Sequence, residues 1–195
     1  MRNRVRIIGS IGKGKYNSIK DKRAYMVWGG MLDRCYNEKH RNKNKTYVDC
    51  EVCEEWLCFQ NFAEWYYNNY YEVDDEVMCL DKDILIKGNK IYSPDVCIFV
   101  PKRINSLFTK CDRARGSLPV GVRYSHNRFR VECSTQKNGI KHRERLGHYD
   151  TVEEAFEVYK QFKEDYIKEV AEEYKHKIPV KLYEALINYK VEITD

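Results

Sequence analysis

Between residues 119 and 166 the spacing of apolar positions changes from two to between three and four. In Arg128-Phe129-Arg130-Val131-Glu132-Cys133 the side chains alternate, so Phe129, Val131 and Cys133 share one face and Arg128, Arg130 and Glu132 the other. Pro119 and Gly121 open an earlier strand, and Asn127 lies in the turn that follows it. Asn138-Gly139 is a strong hairpin signal. The third run alternates again, with Lys141, Arg143 and Arg145 on one face and His142, Glu144 and Leu146 on the other. Thr151-Val-Glu-Glu154 then forms a capping box, and Ala155, Tyr159, Phe162 and Tyr166 recur at helical spacing. The pattern predicts a three-stranded antiparallel sheet packed on one helix.

The N-terminal half reads differently. Residues 8–16 are glycine-rich and basic, a flexible arm or loose strand. Ala24, Trp28, Met31, Leu32 and Cys35 predict a helix from near Asp21 to about Cys35, with Gly29-Gly30 interrupting it. Residues 37–46 read as a polar, basic loop. A second helix is expected from about Glu54 to Asn69, with Trp56, Phe59, Ala63 and Tyr66 on one face, broadened by Leu57, Phe62 and Trp65. Residues 78–108 run strand, Asp-x-Asp, Lys-Gly-Asn turn, Tyr-Ser-Pro-Asp turn, a second apolar run, and Ile-Asn entering a helix. The last thirty residues have a helical pattern broken at Ile178-Pro179. The fold class is therefore α+β: a helical unit with a ββα hairpin, a three-stranded sheet on a helix, and a helical tail. The expected divisions are an arm over 1–19, a first unit over 20–109, a linker over 110–117, a sheet domain over 118–170 and a tail over 171–195.

Charge sharpens the picture. Residues 110–150 hold ten Lys/Arg against four acids, a balance of +6 on a chain whose total is +5. A basic sheet on an otherwise near-neutral protein is the electrostatic footprint of a nucleic-acid reader. The expected duplex-DNA contacts are Arg123, Arg128, Arg130, Lys141, Arg143 and Arg145. Residues 151–195 are acidic, with seven lysines and eleven acids, and read as a solvated helical face. Sixteen tyrosines and three tryptophans exclude a disordered chain. No run approaches the roughly 18 apolar residues of a membrane span, and the first residues lack the pattern of a signal peptide. Eight cysteines without an export signal point to reduced thiols or metal ligands, hence to a cytoplasmic protein.

Gly121-Val-Arg123, Arg128-Phe129-Arg130-Val131, Leu146-Gly147-His148-Tyr149-Asp150-Thr151 and Glu153-Glu154-Ala155 resemble the plant ethylene-response-factor type of DNA-binding domain, also called apetala-two or integrase-like. The resemblance implies a sheet lying in the major groove, with arginines of its exposed face on bases and phosphates. The plant domains carry tryptophans on that face; this segment has none.

Residues 78–108 resemble the core of HNH nucleases found in homing endonucleases and phage proteins. The stretches Trp28-x-x-Met31-x-x-Arg34-Cys35-Tyr36, Val52-Cys53-x-Glu55-Trp56, Phe59-x-Asn61-Phe62-x-x-Trp65 and Leu80-Asp81-Lys82-Asp83-Ile84-Leu85 extend that likeness along the chain. It implies metal-dependent phosphodiester hydrolysis, with a phage-encoded protein working in the host cytoplasm. Carried over by position, Asp81 stands at the strand-end ligand, Asn89 or Asp95 at the loop position and Asn105 at the helix position. Asp83 adds an oxygen ligand, and the set suits Mg or Mn. The family's base is a histidine, and Lys82 occupies its place; none of the five histidines lies within 78–108. Two readings stay open: an endonuclease with catalytic residues Asp81, Lys82 and Asn89, or a degenerate scaffold that binds DNA without cutting.

Cysteine offers a second metal. Cys50 and Cys53 are spaced C-x-x-C, with Cys35 upstream and Cys58 downstream, a set of four for structural zinc. Core packing of free thiols is the favoured alternative.

Overall fold

The computed structural model describes residues 8–109, 117–137 and 139–194. Most of the expected linker, residues 1–7 of the arm and Asn138 of the hairpin turn lie outside these. The fold is α+β, and the chain forms two compact units, Met1–Lys102 and Arg103–Asp195. The division falls earlier than the 110–117 linker.

In the first unit, helix α1 spans Lys22–Tyr36 and buries the five side chains that its spacing singled out. The two glycines do not break it, and a Cβ built on Gly29 would meet nothing within 4 Å. The expected loop after it is instead a short helix, α2 (Glu38–Lys43). Asn37 caps it, its side chain accepting from the amides of Lys39 and His40. A capping residue inside a polar run outweighed the run's loop-like composition.

The second expected helix is divided. A 3₁₀ turn covers Glu54–Leu57, Cys58 is extended, and α3 spans Phe59–Asn69. The arm causes the break. Ser10 donates its amide to the Leu57 carbonyl at 2.9 Å and accepts from the Phe59 amide at 2.9 Å. Gln60 fixes the same arm, donating to the carbonyls of Ile11 and Tyr16. The arm is thus anchored between residues 10 and 16 rather than loose. Trp28, Met31, Trp56, Phe59, Phe62 and Phe99 form the core, and Trp28 Nε1 donates to the Trp56 carbonyl at 2.7 Å. Two small sheets complete the unit. Strand β1 (Glu51–Val52) pairs in parallel with β3 (Ile91–Tyr92), and β2 (Met78–Asp81) pairs antiparallel with β4 (Ile98–Pro101).

Helix α4 (Lys102–Ser106) follows β4 directly and contains the division between the units. The second unit is the three-stranded antiparallel sheet, in order β5 (Val122–Ser125), β6 (Arg128–Lys137) and β7 (Ile140–Tyr149). His126 and Asn127, with φ of 53° and 61°, make the tight turn between β5 and β6, as a two-residue hairpin with positive φ at both positions requires. Helix α5 (Val152–Tyr174) packs on one side; its Thr151 cap accepts from the Glu154 amide at 3.2 Å. Val122, Val131, Cys133, Ala155, Phe156 and Tyr159 form this core. Gly121, with φ 79°, lies so close to α5 that a Cβ would fall 2.0 Å from the Tyr159 ring.

The expected tail belongs to this unit. Helix α5 runs past residue 170, α6 (Val180–Ile187) follows, and Leu182, Leu186 and Val191 are buried. Glu164, expected on a solvated face, is buried and accepts from the Val191 amide at 3.0 Å. That bond pins the chain's last residues to the sheet's helix.

Candidate nucleic-acid interface

Residues directly opposite in a sheet share a face, so register decides which side chains α5 leaves uncovered. Val122 pairs with Val131, and both are buried. Arg123 pairs with Arg130, and Arg130 with His148, which makes a cross-strand row on the opposite face. Along the same face Glu132 pairs with Arg145, Ser134 with Arg143 and Gln136 with Lys141. All six cations expected from the alternation, with Arg128 opposite Ser125, belong to this face.

His148 joins them by way of a bulge. The register shifts between Val131 and Glu132, because Val131 pairs with Gly147 while Glu132 pairs with Arg145. Leu146 is the extra residue, and Gly147 takes φ 129°. An uninterrupted period of two would put Tyr149 beside the arginines. The bulge turns Tyr149 towards the core and His148 outward. Gly147 after an alternating run was the available sequence signal.

The face is held together by few acids. Glu132, with its side chain only 9% exposed, lies 3.5 Å from Arg130 Nε and 3.9 Å from Arg145 Nε. Arg130 Nε is itself buried without a hydrogen bond. Arg128 pairs with Asp150 at 2.8 Å. Arg123, Lys141 and Arg143 are exposed and have no carboxylate partner among the described residues. Like charges directly opposite each other destabilise a sheet. Glu132 offsets part of the repulsion between Arg123 and Arg130.

The second expected site uses its residues locally. Asp81 ends β2, and its Oδ1 accepts from the amides of Asp83 at 2.9 Å and Ile84 at 2.8 Å. Burial, and then the neighbouring Asp83, raise its pKa above the ordinary aspartate value. Lys82 is buried; Nζ donates to Asp83 Oδ2 at 3.1 Å and to the Asn89 carbonyl at 2.9 Å. Asn89 Nδ2 donates to the carbonyls of Lys82 and Ile91, each at 2.7 Å. The structure thus brings Asp81, Lys82, Asp83 and Asn89 together as the bracing of one loop. Asp95 is exposed in the turn between Ser93 and Cys97, and Asn105 belongs to the second unit.

The donor set fits a divalent ion poorly. One Asp81 oxygen is spent on two amides, and one Asp83 oxygen on a lysine. Among the described residues no group of three or more His, Cys, Asp or Glu side chains is arranged to hold a metal. The cysteines fit packing better. Cys35 and Cys50 are buried among apolar side chains, and burial raises the thiol pKa values of Cys35, Cys50 and Cys53.

No protein-family model, curated protein or solved structure matches this chain. Among the described residues no helix is long and apolar enough to cross a membrane.

Proposed function

We propose that the protein binds double-stranded DNA through the uncovered face of the β5–β6–β7 sheet. The observation that carries this is the cross-strand Arg123–Arg130–His148 row, flanked by Lys141, Arg143 and Arg145 with one central acid. Such a face is costly to the fold alone and is relieved by phosphate. Arginine forks also suit guanine edges, so the same face serves sequence recognition.

We read β2, β4 and α4 as the segment that the HNH resemblance would map to its ββα unit. The hydrogen bonds of Asp81, Lys82 and Asn89 support its degenerate form, a scaffold that binds without hydrolysing. A phage or mobile-element DNA-binding regulator is the role that follows.

The test is duplex-DNA affinity against salt. Replacing Arg128, Arg130, Arg143 and Arg145 with Ala is expected to flatten the logarithmic salt slope by at most about 3.6, since each phosphate contact contributes about 0.9 and three of the four arginines already lie near a carboxylate. Equal affinity and slope in a folded quadruple variant would show that DNA is bound elsewhere.

A further inference from the structure

The first unit holds a second concentration of positive charge, on the successive helices α1 and α2, with Tyr92 of the distant strand β3 beside it. Arg34 lies on α1, and its Nε donates to the Tyr92 hydroxyl at 3.0 Å. The guanidinium carbon is 5.3 Å from the Tyr92 ring centroid and 5.9 Å from that of Tyr47. Those rings favour a cation but accept none of its remaining N–H groups. On α2, the His40 ring centroid is 5.7 Å from that of Tyr47, and His40 Nδ1 is buried with no hydrogen-bond partner among the described residues. Arg41 follows it and is half-buried.

Among the described residues Arg34, His40 and Arg41 have no carboxylate partner. Lys82, 6.0 Å from the Tyr92 centroid, is already paired with Asp83. Among the described residues the hydroxyls of Tyr47 and Tyr92 donate to no acceptor. Half-buried cations that no carboxylate neutralises, set beside a buried imidazole nitrogen and two hydroxyls, match one kind of ligand: an oxyanion that accepts from several directions.

We infer that Arg34, His40, Arg41, Tyr47 and Tyr92 form a binding site for a phosphate group. A guanidinium fork matches two phosphate oxygens at once, and the hydroxyl and imidazole donors supply the rest. Two sources share this chemistry, a phosphodiester of DNA and a free phosphate or phosphomonoester. The inference goes beyond the sheet-face reading and does not depend on it.

The experiment follows the His40 ring resonances of the full chain, assigned with His40→Gln, during titration with inorganic phosphate against chloride at matched ionic strength. A saturable shift is expected with phosphate alone. Arg41→Gln and Tyr92→Phe should each weaken it about tenfold, as loss of one charge-assisted bond does. Tyr92→Phe keeps the ring, so the fold is retained. Duplex DNA that moves the same resonances and competes with phosphate identifies a phosphodiester. DNA that binds without moving them identifies a free phosphate or phosphomonoester. The quadruple sheet variant should keep the phosphate response whatever becomes of its DNA affinity. No saturable shift, or a shift unchanged in both Arg41→Gln and Tyr92→Phe, overturns the site.

Discussion

Asp81 offers the sharpest test of whether the acidic loop is architecture or chemistry. Asp81→Asn keeps an acceptor oxygen for the Asp83 and Ile84 amides and removes the charge; Asp81→Ala removes both. Two amide bonds to a carboxylate are each worth about 1.5–3 kcal/mol, so Asp81→Ala is expected to cost about 2–4 kcal/mol after the relief of repulsion by Asp83. Asp81→Asn should be neutral or stabilising at pH 7, because burial and Asp83 raise the carboxyl pKa. An acid whose folded pKa is raised binds more protons folded than unfolded. Its contribution to stability is therefore full in acid. It is lost as pH climbs from the unfolded value, about 3.9, through the folded one. The advantage of Asn over Asp should accordingly vanish at the acid end. Urea unfolding followed by tryptophan fluorescence is suited to this, since Trp28, Trp56 and Trp65 all belong to the same unit as Asp81. An Asp81→Asn variant as unstable as Asp81→Ala, or one whose gain ignores pH, would refute the reasoning.

Two further outcomes can be checked directly. Gly121→Ala should cost the second unit about 3 kcal/mol or more, because the new methyl meets the Tyr159 ring at positive φ, whereas Gly139→Ala, also at positive φ but in open space, should cost about 1 kcal/mol; circular-dichroism melts will rank them. Supercoiled plasmid incubated with the protein and Mg²⁺ or Mn²⁺ is expected to stay uncut, and nicked circles that Asp81→Asn abolishes would restore the endonuclease reading.

Much of this was legible in the sequence where one period governs one surface. The buried face of α1 and the two faces of β6 follow from spacing alone, as does the cap at Thr151. What escaped was set by contacts across distance. The extended Cys58 depends on Ser10, forty-eight residues earlier by number, and nothing between Glu54 and Asn69 announces it. The tail looked solvated because its acids outnumber its lysines, yet Glu164 is buried by a bond to Val191. Lys82 read as a replaced base because the motif names its place. In the structure its donors brace the loop that Asn89 closes. The Arg34 cluster was invisible, since Tyr92 lies fifty-eight positions away.

Glu132 sets how the basic face spends its charge. Held between Arg130 and Arg145, its carboxylate neutralises part of the charge at the centre of the face. If the sheet binds DNA as proposed, those two arginines have fewer counterions to release than Arg123, Lys141 or Arg143, and the entropy of ion release would come mainly from the rim of the sheet. Its centre would exchange one anion for another, a trade governed by fit.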